Sequence, residues 1–158
     1  MFRTGIGFDS HRLTDGRPLI LGGVTIPHER GLQGHSDADV LAHALCDALL
    51  GAVADGDIGQ HFPDTDTQWH GADSMTLLAL VVARLTRAGW RIVNADATIV
   101  AEAPKLAPHI LAMRGRLSEV MEISLAQVSV KAKTNEGMDA VGRREGISVM
   151  ATALVERL

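Results

Sequence analysis

At 158 residues, with 46% hydrophobic and 22% charged side chains, the chain has the make-up of an ordinary folded domain, which excludes a disordered or collagen-like polymer. A formal charge of −4 leaves no overall positive field to gather nucleic acid or an anionic membrane surface. Aromatic residues at 3%, with no Tyr, exclude stacking platforms for bases and leave Ala, Val, Leu, Ile and Met to build the core.

One domain over residues 1–158 is expected from this length, and Cys46 has no partner within the chain for a disulfide. The opening residues, MFRTGIGFDSHR, lack the apolar core of a signal peptide. The longest apolar stretch, Leu77 to Ala83, falls far short of the ~20 residues of a membrane span, so a cytoplasmic location is expected.

From the N-terminal side, residues 2 to 9 predict a strand, and Pro18 to Ile26 a hairpin whose Gly22-Gly23 pair supplies the positive φ of a tight turn. Val40, Leu41, Ala44, Leu45, Ala48 and Leu49 recur at helical spacing, with Ser36 as the expected cap, Asp39 three residues on, and Gly56 available to end the helix. A second helix is predicted from about Asp73 to Arg87, before Gly89, and a third from about Pro108 to Met121. Trp90 to Val100, Val128 to Lys133 and Ile147 to Val155 favour strands. The expected fold is α/β of the α+β type: a mixed four-stranded sheet with helices packed on one face.

Asp9 and His11, two apart on a strand, project from the same face and can grip one metal, or can simply share a strand-end hydrogen bond. His43 lies off the apolar stripe of the first helix, beside Asp39 and Asp47 at i±4, either as a solvated histidine or as a third ligand. Asp9, His11 and His43 together would form a three-ligand site with an open fourth position, the pattern of catalytic zinc, with Asp39 or Asp47 orienting His43 from behind. His35 and Ser36 stand at the helix start, where an anion would be welcome. The acidic stretches Asp55-Gly56-Asp57-Ile58-Gly59 and Phe62-Pro63-Asp64-Thr65-Asp66 read as a surface loop, or as a lid that accepts hydrogen bonds from substrate hydroxyls. Ala101-Glu102-Ala103-Pro104-Lys105-Leu106-Ala107-Pro108 joins a strand to a helix, with Lys105 either solvated or on a phosphate. In Lys131-Ala132-Lys133-Thr134-Asn135-Glu136-Gly137, Glu136 can hold an oxygen-ligated Mg²⁺ or belong to a charged hairpin.

These segments occur in the order seen in a known enzyme family. Gly7-Phe8-Asp9-Ser10-His11, Leu21-Gly22-Gly23-Val24, His35-Ser36-Asp37, His43-Ala44-Leu45, Gly56-Asp57-Ile58-Gly59, Phe62 to Asp66, Gly71-Ala72-Asp73-Ser74, Ala103-Pro104-Lys105 and Gly142-Arg143 carry the resemblance from Gly5 to the last strand. The chain resembles the 2-C-methyl-D-erythritol 2,4-cyclodiphosphate synthases of the non-mevalonate isoprenoid pathway.

The resemblance implies a lyase that converts 4-diphosphocytidyl-2-C-methyl-D-erythritol 2-phosphate to the cyclic diphosphate and CMP. It implies a homotrimer with active sites at subunit junctions, a divalent metal, usually zinc, on Asp9, His11 and His43, and a second ion, magnesium or manganese, on Glu136. By the same likeness His35 and Thr134 assist the transition state. Asp57, Ile58, Gly59, Phe62, Pro63, Asp64, Thr65 and Asp66 receive the methylerythritol phosphate. Ala101, Glu102, Ala103, Pro104, Lys105, Leu106 and Ala107, with Lys133, Thr134, Asn135 and Glu136, receive the cytidine diphosphate. Asp9, His11, His35, Ser36, Ala140 and Arg143 are also implied to border substrate.

Two positions depart from the family pattern: Ala140 stands where many relatives carry an aromatic ring beside the trimer-axis cavity, and Lys133 where many carry threonine. Two other readings compete: a phosphohydrolase, since a three-ligand metal facing a phosphate can equally activate water, and a non-catalytic trimeric module that binds nucleotide or metal.

Overall fold

The first strand, β1 (Phe2–Asp15), alternates between two unlike faces. Gly5, Gly7, Asp9, His11 and Leu13 point to the covered side, while Thr4, Ile6, Phe8, Ser10 and Arg12 are exposed on the other. The computed structural model, which describes residues 1–158, continues with the short strands β2 (Leu19–Leu21), β3 (Val24–Ile26) and β4 (Arg30–Leu32). Then follow α1 (Val40–Ala52), α2 (Ile58–His61), α3 (Ser74–Arg87), β5 (Trp90–Val100), α4 (Ile110–Met121), β6 (Val128–Lys133), α5 (Asp139–Gly142) and β7 (Gly146–Arg157).

The main sheet has five strands in the order β4-β1-β7-β5-β6, and β2 and β3 form a separate hairpin. All neighbours in the sheet are antiparallel except β5 and β6. The expected four-stranded sheet is therefore corrected to five. Strand β4 has only three residues, too few to display a period, and forms because Leu13 and Leu32 pair in register at the end of β1. The first strand also runs six residues beyond the expected Asp9, because β7 pairs with it as far as Arg12.

Helix α1 lies on the covered face of β1. Ten of its thirteen residues are buried, and the three that are not, His43, Asp47 and Gly51, follow one another at i+4 spacing along a single edge. Such a helix is packed on nearly all sides: β1 and β7 lie below it and α3 beside it, with α4 beyond on α3 and β6. The approach to β1 is close because the facing residues are small. A Cβ on Gly5 would lie 1.9 Å from the Ala48 carbonyl oxygen, and one on Gly7 1.9 Å from that of Ala44.

Asp39, not Ser36, caps α1. Its carboxylate accepts from the Ala42 amide at 3.1 Å and also from the hairpin amides of Gly22 at 2.9 Å and Gly23 at 2.7 Å. Ala38 adopts a positive φ of 60°, which turns the chain between the two candidate caps. Ser36 Oγ accepts instead from the Ala38 amide at 3.1 Å. Through Asp39 the hairpin is tied to the helix, and its Leu19, Leu21 and Ile26 join one core of 38 buried residues that reaches from Leu13 to Val155. Helices α3 and α4 lie close to the expected ranges, and Gly89 takes the left-handed turn after α3 at φ 80°.

Substituting Gly7→Ala forces α1 off the sheet and is expected to cost roughly 1–3 kcal/mol. Gly51→Ala, whose Cβ would meet only the Ile6 carbonyl oxygen at 3.8 Å, is expected to be neutral or slightly stabilising. Chemical denaturation of the two variants checks this; equal midpoints would contradict the close packing.

Candidate metal centre

Spacing along β1 and the height of α1 above it bring three side chains to one point. Asp9 Oδ2 lies 2.9 Å from His11 Nε2 and 3.1 Å from His43 Nδ1, and the two imidazole nitrogens are 3.2 Å apart. Donors held about 2.0–2.1 Å from one tetrahedral ion stand about 3.3 Å from each other, so the triangle is nearly the size a zinc-like ion requires. The three side chains are 28%, 19% and 12% exposed in the order Asp9, His11, His43, enough to leave one side open.

The donor chemistry fits a cation. His11 Nδ1 donates to the Gln33 carbonyl oxygen at 2.8 Å, so in the neutral ring Nε2 turns a lone pair toward the Asp9 carboxylate. Without a positive charge between them those groups repel, and a proton takes the place of an ion. Burial opposes ionisation of Asp9, but the hydrogen-bonding and Coulombic influence of the His11 and His43 rings outweighs it and holds the carboxyl far below the ordinary carboxylate range. Burial likewise opposes charging His11, yet Asp9 and the Gln33 carbonyl raise its pKa above the ordinary imidazole value.

The open side of the triangle faces a cavity of about 210 Å³, bordered by His35, Asp47, Ile58, Gly59, Phe62 and Asp64 among others. Asp47 does not orient His43; it accepts from the Ile58 amide at 2.7 Å and so sets the position of α2. Nor does Asp39, whose carboxylate is spent on backbone amides. The groups behind His43 are Ser74 Oγ at 2.9 Å and Ser36 Oγ at 3.1 Å, and of these only Ser36 is expected at the site from the sequence.

Asp57 caps α2 by accepting from the Gln60 amide at 2.9 Å, and Asp66 caps the next turn through the Gln68 amide at 3.1 Å. Phe62 packs edge-on against Trp69 with centroids 5.0 Å apart, and Trp69 also borders the cavity. His35 stands edge-on to His70, and its Nε2 is buried without a hydrogen-bond partner.

The remaining expected residues lie elsewhere on the same chain. None of 101–107 or 133–136 borders the cavity, and β6 is three strand spacings from β1, roughly 14 Å. There Glu102 accepts from the amides of Asn135 at 2.7 Å and Gly137 at 3.2 Å, joining the two loops, while the Thr134 hydroxyl donates to Glu136 at 3.0 Å. Lys105 and Lys133 are exposed, whereas Leu106 and Ala101 are buried in the core. Ala140 is exposed on α5, and Arg143 donates to Glu145 at 2.7 Å.

A metal must displace the proton that Asp9 helps His11 to keep. The raised His11 pKa therefore predicts that divalent-ion affinity falls as pH is lowered through and below the upshifted imidazole range. Zinc titrations between about pH 5.5 and 8 check the sign; affinity that is flat across the range would contradict the arrangement.

Residues 2–156 match the profile of the YgbB family. Over 155 residues the chain is 58% identical to the 2-C-methyl-D-erythritol 2,4-cyclodiphosphate synthase of Syntrophomonas wolfei subsp. wolfei, an alignment covering 98% of this chain and 99% of that one. Its fold superposes on a 2C-methyl-D-erythritol-2,4-cyclodiphosphate synthase solved in a CDP-bound form with a TM-score of 0.90 and 39% identity, over 98% of this chain and 100% of the other. It also superposes on the bifunctional IspDF from Campylobacter jejuni with a TM-score of 0.96 and 39% identity, over 100% of this chain but only 43% of that longer protein. With identity, fold and family profile in agreement over nearly its whole length, the chain belongs to the YgbB family, that of the 2-C-methyl-D-erythritol 2,4-cyclodiphosphate synthases.

Proposed function

We propose that the chain, acting as one catalytic domain over residues 1–158, converts 4-diphosphocytidyl-2-C-methyl-D-erythritol 2-phosphate to 2-C-methyl-D-erythritol 2,4-cyclodiphosphate and CMP. An oxygen of the substrate's own 2-phosphate forms a bond to the β-phosphorus, and the bond from that phosphorus to the CMP oxygen breaks. The observation that carries the reading is the Asp9–His11–His43 triangle, open toward a cavity, in a chain of this family. In this reading the ion on that triangle is zinc, which supplies charge neutralisation at the phosphates.

The chain's own residues do the positioning. Because the nucleophile is already a phosphate anion, no activated serine or cysteine is needed, and the main task is to fold a flexible substrate so that its two ends meet. Asp57, Ile58, Gly59 and the segment from Phe62 to Asp66 receive the methylerythritol phosphate in this reading, which is supported by Ile58, Gly59, Phe62 and Asp64 bordering the cavity and by the Asp47 contact that fixes α2. His35 and Thr134 assist the transition state, His35 with a ring nitrogen that has no partner within the chain. The loops at 101–107 and 133–136, tied together by Glu102, receive the cytidine diphosphate, and Glu136 helps hold a magnesium or manganese ion there.

Strand β6, which leads into the 133–136 loop, lies three strand spacings, roughly 14 Å, from β1 within one chain, which supports a site completed by a second copy. The uncovered face of the sheet supports the same assembly: Ile6, Phe8 and Met150 are 66%, 59% and 51% exposed on paired strands β1 and β7. We therefore propose a homotrimer with sites at the subunit junctions. No helix is long and apolar enough to cross a membrane, and the reaction is assigned to the cytoplasm, where nucleotide substrates reside.

Phosphorus NMR of the reaction is expected to show a cyclic diphosphate and CMP in equal amounts. The variant His43→Ala should lose at least about 100-fold in turnover while keeping the wild-type circular dichroism. Inorganic phosphate or an open-chain monophosphate as product would overturn the synthase reading in favour of a phosphohydrolase. Turnover that survives thorough chelation would overturn the role of the ion.

A further inference from the structure

His43 can serve as a ligand through Nδ1 only if its proton sits on Nε2, and an imidazole in water readily takes either form. The chain's answer lies behind the ring. Ser74, the first residue of α3, is fully buried, and its Oγ is 2.9 Å from His43 Nε2. The Ser74 hydroxyl donates to Asp37 Oδ1, and the Ser74 amide donates to Asp37 Oδ2 at 3.1 Å. A carboxylate only accepts, so the one hydroxyl proton of Ser74 is committed to Asp37. Its oxygen is then left as an acceptor, and the atom facing it, His43 Nε2, must be the donor.

Ser36 cannot impose this direction. Its Oγ accepts from the Ala38 amide, lies 3.1 Å from His43 Nε2 and 3.4 Å from Ser74 Oγ, and keeps a hydroxyl proton that can turn toward either. Only the Ser74–Asp37 pair has a fixed polarity.

We propose that Ser74, locked by Asp37, is a positioning residue that holds His43 in the Nε2–H tautomer and thereby turns the Nδ1 lone pair toward Asp9 and His11. The inference rests on the reading of Asp9, His11 and His43 as metal ligands. It gives a physical role to two stretches, His35-Ser36-Asp37 and Gly71-Ala72-Asp73-Ser74, that meet only in the folded chain. An asparagine at 37 would reverse the chain of hydrogen bonds. Its amide can donate to Ser74 Oγ, which frees the hydroxyl proton for His43 Nε2 and pushes the imidazole proton to Nδ1, where it blocks a metal.

The test uses the full-length protein with zinc alone as probe and two readouts. Long-range proton–nitrogen correlation spectra of the metal-free protein report the His43 tautomer, and competition with a chromophoric chelator reports zinc affinity. Wild type is expected in the Nε2–H form. Ser74→Ala and Asp37→Asn should each shift the tautomer and weaken zinc binding about 10–100-fold, and Ser74→Thr, which keeps a hydroxyl, should restore both. If Ser74→Ala does not fold, the isosteric Asp37→Asn decides. Wild-type tautomer and affinity in Asp37→Asn would overturn the proposal, and so would a loss of affinity with the tautomer unchanged, which marks a merely structural role. Zinc failing to bind wild type would contradict the ligand reading, while the tautomer of the metal-free protein still decides the role of Ser74.

Discussion

The height of α1 above β1 is the constraint on which the site depends. Gly5 and Gly7 present bare backbone to Ala44 and Ala48, and any side chain in either glycine position would collide with a helix carbonyl. At that separation the ring of His43, one residue before Ala44, reaches Asp9 and His11, which continue the same face of the strand beyond the glycines. The packing that stabilises the core and the geometry that converges three donors are thus one contact. A small change in that spacing is felt at the site, because a metal tolerates only a few tenths of an ångström in its donor distances.

Around this contact each carboxylate has a separate structural task. Asp39 joins the hairpin to the helix start, Asp47 fixes α2, Asp37 holds Ser74, and Glu102 links the two distant loops. Asp9 alone is directed at the two imidazoles. This division explains how so acidic a region can support one cation site without collapsing into mutual repulsion: most of its negative charges already accept hydrogen bonds from amides or hydroxyls.

Much of this was legible in the residues themselves. The period of α1 and α3, the Gly22-Gly23 turn and the shared face of Asp9 and His11 all follow from local geometry, and they appear where local geometry puts them. What local reasoning missed depends on pairing or on distance in sequence. Strand β4 is too short to show a pattern and exists through its partner. Ser36 and Asp39 both suit a cap, and the positive φ at Ala38 selects the second. Helical spacing points to partners of His43 at i±4 on its own helix, whereas its Nε2 meets Ser74 Oγ, 31 residues later. The resemblance to a known family supplied the third ligand and the distant loops; spacing alone left His43 open between ligand and solvated side chain.

Two imidazoles and one carboxylate from β1 and α1 stand close enough to share a single ion. X-ray absorption at the zinc edge of the loaded protein reads that shared coordination from the ion itself. The expected spectrum is that of a four-coordinate shell of nitrogen and oxygen at about 2.0–2.1 Å with outer-shell scattering from two imidazoles. A six-coordinate oxygen shell without imidazole scattering would contradict it.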